Sequence, residues 1–362
     1  HEGLGDTFLW AGDWRRHYAY GDPEAEARAV RERVGIIDVS TLGKFLVRGP
    51  DVVPFLERLY PSRVEDQPIG RIRYGVMVNE EGVIIDDGAI ARLAEDTFYV
   101  TATTGNAAAI DRWISSWLAV WGLRVEVWNV TGGYAAINVA GPRAREVLAP
   151  LCEGGARLED LPHLGVGSTS IAGVEAIVLR LGFVGELAFE LHVPGGAAQH
   201  VWEAISDAGV GFGIAPFGLE AQRILRLEKG HILIGQDTDA ETDPFSCGLG
   251  RLIRFDDRDF VGRAALERRA AEPPQRRLVG FVLGGDVVPA EGSAVVERGR
   301  PVGRVTSCRR SPTLGDVIGL AWVPAARAEP GSSIEIRTGG RILTATVAPT
   351  PFYDPAGERL RG

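Results

Sequence analysis

The sequence predicts an α+β architecture with more than one domain. Helix-like and strand-like patterns mix along the first 270 residues, without the regular alternation that a parallel sheet requires. Residues 272–275 (EPPQ) form a polar, proline-bearing link, and short strand patterns broken by Gly and Pro follow to the end of the chain. A chain of 362 residues is also long for one compact core. We therefore predict an α+β region over residues 1–270 and a small β-barrel or sandwich over residues 271–362.

The first half of the chain opens with a charged amphipathic segment in which Pro23 suits the first helical turn. Gly49 and Pro50 break the chain between a strand and a second helix. The turn at 79–82 separates two short apolar runs, which is typical of a hairpin. These signals predict, in order, a helix over 22–34, a strand over 44–48, a helix over 52–59, a hairpin over 74–93, a strand over 97–101 and a helix over 107–121.

The second half continues the same mixture. Gly230 is typical of a C-terminal helix cap, so the segment after it should turn back toward the core. The pattern predicts a strand over 134–139, a helix after Gly141 and Pro142, strands over 174–180 and 188–193, and helices over 197–208 and 219–228.

Composition excludes several classes of function. The 39 basic and 48 acidic residues give a net charge of −9 with no strongly basic stretch, so we expect no nucleic-acid partner. The apolar runs are too short to cross a bilayer, so we expect no membrane span. The three cysteines lie far apart with neither CxxC nor metal-ligand spacing, which indicates reduced thiols in a cytoplasmic protein. A first residue other than Met is consistent with a processed or excised piece of a longer protein.

Two adjacent carboxylates, Asp86 and Asp87, follow an apolar run in the predicted hairpin. Burying an unpaired acid is costly, so this placement is unusual. Neighbours on a strand face opposite sides, which allows one acid to enter a pocket while the other caps the backbone or meets solvent. On spacing alone, a solvated turn is the simpler interpretation.

A third carboxylate, Glu190, lies in a predicted strand where alternation sets Ala188, Glu190 and His192 on one face. A carboxylate fixed on a strand can accept two parallel hydrogen bonds from an amidine-like edge, such as that of a pterin. Without other evidence, an exposed Glu is the simpler interpretation.

His231 follows the capping glycine, where it either lines a site or packs as a hydrogen-bonded core residue. Motifs for other chemistries are missing from the sequence. The run around Gly248 and Gly250 lacks the third glycine and the preceding strand of a dinucleotide fingerprint, and there is no Walker, HExxH or GxSxG motif. We expect no metal site, and neither NAD nor FAD bound by this chain alone.

The segments 79–88, 182–191 and 226–239, in this order, resemble the glycine cleavage T-protein (aminomethyltransferase) family. The similarity extends over nearly the whole chain, from residues 34–40 to 351–353. Within the family, three segments are most similar to the tetrahydrofolate-binding C-terminal part of the sarcosine oxidase α subunit: 40–44 (STLGK), 71–75 (RIRYG) and 227–230 (LEKG).

The resemblance implies two intertwined ferredoxin-like units around a central folate cavity, with a C-terminal β-barrel. Asp87 matches the family's catalytic carboxylate, and Glu190 matches the acid that holds the pterin ring. Tyr74, Gln222, Arg223 and His231 are the further residues expected to bind tetrahydrofolate, the implied cofactor.

Two departures from the family pattern concern the expected folate site. Gln222 stands where the T-protein has an Arg, so that contact is either absent or provided by Arg223. His231 replaces an apolar residue. Strict glycine cleavage, with its aminomethyl-lipoyl partner, is therefore not assumed.

The implied function is one-carbon transfer: an iminium or formaldehyde equivalent from an oxidised N-methyl amine is captured to give 5,10-methylenetetrahydrofolate. Because the chain has no flavin motif, a flavoprotein partner would perform the oxidation. Two alternatives remain at this point, a stand-alone folate-dependent demethylase or methyltransferase and a folate-binding protein without turnover.

Overall fold

The structure, a computed structural model, describes residues 7–362. The first half contains β1 (Thr7–Ala11), β2 (Trp14–Ala19), α1 (Pro23–Glu32), β3 (Val34–Asp38), β4 (Gly43–Arg48), α2 (Val52–Leu59), β5 (Ile72–Val78), β6 (Ile84–Ala94), β7 (Thr97–Ala102), α3 (Ala107–Trp121), β8 (Glu126–Asn129) and β9 (Tyr134–Ala140). The second half contains α4 (Ala144–Leu148), β10 (Cys152–Glu153), β11 (Gly165–Ile171), β12 (Val174–Arg180), β13 (Ala188–Pro194), α5 (Ala198–Gly209), β14 (Ile214–Pro216), α6 (Leu219–Glu228), α7 (Arg263–Ala271), β15 (Arg276–Leu283), β16 (Ala294–Glu297), β17 (Arg300–Arg310), β18 (Val317–Pro324), β19 (Ser333–Thr338), β20 (Arg341–Ala348) and α8 (Glu358–Arg361).

The first ferredoxin-like unit is a five-stranded antiparallel sheet in the order β5-β6-β7-β4-β8. The chain runs β4-α2-β6-β7-α3-β8 through the unit, and β5 adds a strand at the edge beside β6. Helices α2 and α3 cover one face, where Phe45, Phe98 and Val100 pack against Phe55 and Ile110. Alternation along β4 and β7 supplies this apolar face, because every second residue of a strand points to the same side.

The second unit explains why the two are intertwined. Its seven-stranded sheet has the order β10-β11-β12-β13-β9-β3-β14. Strand β3 precedes the whole first unit in sequence, yet it pairs with β9 of the second. Strand β14 then returns to lie parallel to β3. The chain therefore starts in the second sheet, builds the first, and comes back to complete the second.

The two sheets face each other through the sides that the helices leave free. Ala89, Ala91 and Tyr99 of the five-stranded sheet pack against Val166 and Leu179 of the seven-stranded sheet. Directly opposed residues of an antiparallel pair share a face. Leu179 is opposite Glu190 of β13, and Asp87 precedes Ala89 by two residues on β6, so both acids lie on the sheet faces that meet here.

The C-terminal region is a closed barrel in the order β15-β18-β17-β16-β19-β20, with β15 also paired to β20. Phe281 and Val305 lie in its core. A Cβ atom at Gly319 would come within 2.3 Å of the Phe281 ring, so only glycine allows the two strands to close over that ring. Helix α7 ends at Ala271 and the barrel begins at Arg276.

These findings confirm the predicted α+β architecture of two intertwined ferredoxin-like units with a C-terminal β-barrel. Helix α1 begins at Pro23 as predicted, and the Asp22 side chain accepts from the Glu24 amide at its start. The hairpin, α3 and α6 also form where the pattern predicts them. The pattern did not predict strands β1, β2, β3, β8, β10, β11 and β14 or helices α7 and α8. No helix within residues 7–362 has the length and hydropathy of a membrane span.

Candidate functional site

Asp86 and Asp87 lie within β6 and point to opposite faces of the sheet. Asp86 is 1% exposed and points toward the beginning of α3. There it accepts hydrogen bonds from the Thr103 amide (3.0 Å) and from Asn106 Nδ2 (3.3 Å). The first acid therefore caps the backbone, one of the two roles that alternation allowed for it.

Asp87 lies on the same face of β6 as Ala89 and Ala91, which pack against the second sheet. Its partner across the ladder, Val76, packs against Cys247 and Trp322 at the edge of that space. Tyr74 Oη donates to Asp87 Oδ2 at 2.6 Å, and Thr103 Oγ1 donates to Oδ1 at 3.3 Å. The side chain is half-buried. Thr103 thus connects the two acids, with its amide on Asp86 and its hydroxyl on Asp87.

Burial changes the proton affinity of both acids. It raises the pKa of Asp86 to about 7, and the charge of Asp87 adds to the rise. It also raises the pKa of Asp87, while the hydrogen bonds from Tyr74 and Thr103 favour the ionised form and limit that rise. Both carboxyls therefore exchange protons nearer to neutral pH than a solvated aspartate does.

At Gly88, next to Asp87, the regular pairing of β6 with β7 is interrupted. A Cβ atom at this position would lie 2.0 Å from the Thr101 carbonyl oxygen, so no other residue fits without moving β7. The Ala89 amide bonds the Thr101 hydroxyl at 2.9 Å, and the continuous β6–β7 pairing starts only at Ile90. The glycine lets β7 approach β6 closely while the ladder is interrupted beside the acid.

Glu190 lies on β13, on the face that looks toward the first sheet, and is 6% exposed. Its Oε1 is 2.8 Å from His192 Nε2, and His192 Nδ1 is 2.9 Å from Tyr99 Oη. Tyr99 belongs to β7 of the other sheet, so this chain of hydrogen bonds crosses the gap. Among the described residues, Oε2 has no hydrogen-bond partner, and it is available to a ligand.

Lys44, one of the two lysines in the sequence, is fully buried near Glu190 and Asp38. Its Nζ donates to the carbonyl oxygens of Ser40 (2.7 Å) and Leu42 (2.9 Å). Burial lowers the pKa of Lys44 to about 8, and the charges of Glu190 and Asp38 oppose that shift. The ammonium therefore adds positive charge close to Glu190.

The structure separates the other candidate residues from the two acids. Arg223 lies on α6, half-buried, with its Nη1 3.6 Å from Glu220. Gln222 is also half-buried on this helix. Within residues 7–362, no hydrogen bond or ion pair joins either residue to Asp87 or Glu190. Of the expected folate-binding residues, Tyr74 contacts Asp87 directly.

His231 is held by the backbone. Its Nδ1 is 2.8 Å from the Phe183 carbonyl oxygen, and its ring stacks on that of Phe183 with a centroid distance of 5.6 Å. Burial lowers the pKa of His231 to about 4, so the ring is neutral and Nδ1 carries the proton that it donates. This is the geometry of the hydrogen-bonded packing residue, one of the two interpretations of the sequence.

Sequence reasoning assigned no role to His192, Tyr99, Thr103 or Lys44. Alternation did set His192 beside Glu190, and Lys44 lies in one of the three sarcosine oxidase-like segments. Nothing in the sequence signals the contact between His192 and Tyr99, because the two residues are 93 positions apart.

Two clefts lie away from the acids. One of about 550 Å³ lies at the link before the barrel and is lined by residues including Phe245, Arg269 and Arg277. Another of about 130 Å³ lies beside β2 and is lined by residues including Arg16 and Asp38. Neither is lined by Asp87 or Glu190, so a central folate cavity stays a prediction. Within the described part of the chain, no group of three potential metal ligands occurs.

Comparison with known families identifies this architecture. Residues 1–257 match the GCVT N-terminal domain, and residues 276–354 match the glycine cleavage T-protein C-terminal barrel domain. The chain belongs to the glycine cleavage T-protein family. Members of this family are tetrahydrofolate-dependent aminomethyltransferases, so the chain is a transferase that uses tetrahydrofolate.

Relatives of two kinds are similar to this T-protein family member. It is 36% identical over 384 residues to sarcosine oxidase subunit alpha of Corynebacterium sp. (strain P-1), covering all of this chain but only 40% of that subunit. It is 35% identical over 355 residues to an aminomethyltransferase of Saccharopolyspora erythraea, covering 98% of this chain and 96% of that enzyme. The crystal structure of the glycine cleavage system aminomethyltransferase T from Bartonella henselae superposes with a TM-score of 0.89 at 26% identity, covering 97% and 95% of the two chains.

Proposed function

We propose that this chain captures the one-carbon unit released when an N-methyl amine of the sarcosine or dimethylglycine type is oxidised, and that the product is 5,10-methylenetetrahydrofolate. The observation that carries the proposal is the arrangement of two acids on facing sheets. Asp87 is half-buried and held by Tyr74 and Thr103, while Glu190 presents an unpartnered oxygen from the opposite sheet.

The residues present fit a reduced pterin. Its amino-pyrimidinone edge carries N–H donors, and an ionised carboxylate such as Glu190 only accepts hydrogen bonds. Tetrahydrofolate supplies two nucleophilic nitrogens that accept the carbon. We assign the binding of the pterin ring to Glu190, with the Lys44 ammonium group nearby.

We assign proton transfer to Asp87. Joining the carbon to two secondary amine nitrogens removes one proton from each nitrogen and expels water from formaldehyde or the amine from an iminium. A carboxylate within reach can accept these protons and pass them to the leaving group. The positive charge that develops on the way is also stabilised by an anion fixed nearby. Tyr74 and Thr103 hold the carboxylate so that it need not reorganise during the reaction.

The proposal includes a cytoplasmic location and a flavoprotein partner that performs the oxidation. The identity with sarcosine oxidase subunit alpha supports the partner, as do the three sarcosine oxidase-like segments. A stand-alone aminomethyltransferase is the second candidate, because the chain also covers nearly the full length of enzymes with that name.

The test combines binding and turnover. Tetrahydrofolate is titrated against the purified chain with intrinsic Trp fluorescence as the signal, and product formation from formaldehyde is measured after subtraction of the uncatalysed reaction. We expect saturable binding that Glu190→Gln weakens and that Glu203→Gln, an exposed control on α5, does not. Absence of saturable binding contradicts the proposal.

The same turnover assay distinguishes the two candidate functions when the carbon donor is changed. Methylene transfer that requires an amine-oxidising flavoprotein, or formaldehyde in its place, supports the proposed function. Transfer from an aminomethylated carrier protein by the chain alone favours the second candidate. Binding without any turnover indicates a folate-binding protein.

A further inference from the structure

We propose that His192, held by Tyr99, is a positioning residue that fixes the carboxylate of Glu190 for pterin binding. The inference rests on the proposed folate site. It adds two residues that the proposed function does not use, and it gives each a specific task.

The three side chains form one chain of hydrogen bonds. An ionised carboxylate has no proton to donate, so His192 Nε2 must carry the proton in its 2.8 Å contact with Glu190 Oε1. In the neutral ring the other nitrogen, Nδ1, is then an acceptor, and Tyr99 Oη donates to it at 2.9 Å. Burial and the charge of Glu190 raise the pKa of Tyr99, which keeps its hydroxyl protonated and able to donate.

Burial makes this orientation hard to change. His192 is 0% exposed and Tyr99 is 1% exposed, so neither can turn to water for a replacement partner. The rings also meet edge to face, with centroids 5.2 Å apart. A buried group that loses its hydrogen-bond partner is destabilised, so the ring stays in this tautomer and orientation.

The fixed position of His192 restricts the conformation of the Glu190 side chain. A glutamate side chain has several rotatable bonds, and ordering them on binding reduces affinity. The bond from His192 engages Oε1 and leaves Oε2 as the oxygen without a partner among the described residues. The carboxylate is thus oriented before a ligand arrives.

The same contact links the two halves of the site. Tyr99 is on β7 of the sheet that carries Asp87, whereas His192 and Glu190 are on β13. A hydrogen bond between the sheets therefore helps to set the separation between the acid that holds the ring and the acid that moves the proton. Loss of His192 should affect both folate affinity and the rate at saturating folate.

The test uses 5-formyltetrahydrofolate, which has the same amino-pyrimidinone edge, and measures its Kd by calorimetry. His192→Leu should weaken binding about tenfold, the loss expected for one hydrogen bond to a charged group. His192→Gln should restore most of the affinity, because its amide nitrogen can occupy the place of Nε2. Tyr99→Phe should weaken binding by a smaller factor, and it provides the same test if His192→Leu does not fold.

A double-mutant comparison separates positioning from a structural role. In a Glu190→Gln background, His192→Leu should change the Kd less than twofold, because its effect passes through Glu190. His200→Leu, an exposed histidine on α5, should change neither Kd nor stability.

Three results have distinct meanings. Failure of the unmodified chain to bind 5-formyltetrahydrofolate overturns the proposed function. Normal binding that is weakened by Glu190→Gln but not by His192→Leu or Tyr99→Phe overturns only the positioning role. Equal losses from His192→Leu in both backgrounds also overturn it, because they show an effect that does not act through Glu190.

Discussion

Two regions of this protein contain acids with different partners. Where α1, α6 and the barrel meet, Glu228 is paired with Arg31 at 2.7 Å and accepts from Ser311 of the barrel at 2.5 Å. Asp237 is paired with Arg226 at 2.7 Å in the same part of the molecule. Between the two sheets, by contrast, Asp87 is held by hydroxyl groups and Glu190 by an imidazole.

The partners of these acids distinguish a structural role from a role in the reaction. A carboxylate paired with arginine inside the protein has its charge compensated, and it binds other parts of the chain together. A carboxylate held by neutral donors keeps its charge and its proton affinity available to a substrate. Substitutions in the two regions should therefore have opposite effects on activity and on stability.

The largest effect should come from Asp87→Asn. Asparagine fits the same space and retains an acceptor for the hydroxyl donors, but it cannot take up a proton. We expect the rate of methylene transfer to fall by about 10²–10⁴-fold, with folate affinity and unfolding free energy nearly unchanged. Rapid-quench or coupled assays measure the rate, and Asp257→Asn, an exposed residue, is the matched control. A rate within threefold of the unmodified protein would remove the distinction between the regions.

Glu228→Gln should lower the unfolding free energy and leave the rate of methylene transfer nearly unchanged. It leaves the Arg31 guanidinium, which is 5% exposed, with a weaker partner. Breaking a buried pair in this way costs about 3–5 kcal/mol of unfolding free energy. Urea unfolding measures this loss, and Glu203→Gln should stay within about 0.5 kcal/mol of the unmodified protein. A loss as small as that of the control would show that the arginine-paired region does not stabilise the fold.

Tyr74→Phe should lower the rate of methylene transfer by a smaller factor than Asp87→Asn does. It removes one hydrogen bond to Asp87, worth about 1–1.5 kcal/mol, so the rate should fall roughly tenfold. Because that hydrogen bond favours the ionised form, its loss raises the pKa of Asp87 further. The acidic limb of the pH–rate profile should therefore move to higher pH. An unshifted limb would show that Tyr74 does not act on Asp87.

A separate effect, on stability alone, should be seen in the pH dependence of unfolding for Asp86→Asn. The pKa of Asp86 is raised to about 7 in the folded chain and is about 3.9 in an unfolded chain. Between these values the folded state binds more protons, so the contribution of Asp86 to stability falls as pH rises through this window and is constant above it. The difference in unfolding free energy between the unmodified protein and Asp86→Asn should decline from pH 4 to pH 7. A difference that is independent of pH would contradict the burial of this acid.

Local pattern predicts the elements that carry local signals. The hairpin of β5 and β6 has its turn and its adjacent acids in one continuous segment, so the contact of Tyr74 with Asp87 lies within a predicted unit. Helix α3 forms over the predicted residues because its apolar positions recur with helical spacing.

The remaining features depend on contacts between distant parts of the chain. Strand β3 is a short run buried on both faces, so it lacks alternation, and its partner β9 lies beyond the whole first unit. Strand β11 is rich in Gly, Ser and Thr, and its pairing with β12 determines its conformation. The contact of His192 with Tyr99 crosses between the sheets for the same reason. Single-sequence patterns contain no information on such pairs.

A crystal structure of the chain with bound 5-formyltetrahydrofolate tests most directly whether the acids of the two sheets form one folate site. We predict a pterin ring between β6 and β13, with its amino-pyrimidinone edge within about 3 Å of Glu190 Oε2 and its reactive nitrogens toward Asp87. A ligand bound instead at the cleft near Arg269 and Arg277, or beside Arg16, would contradict the assignment of both acids.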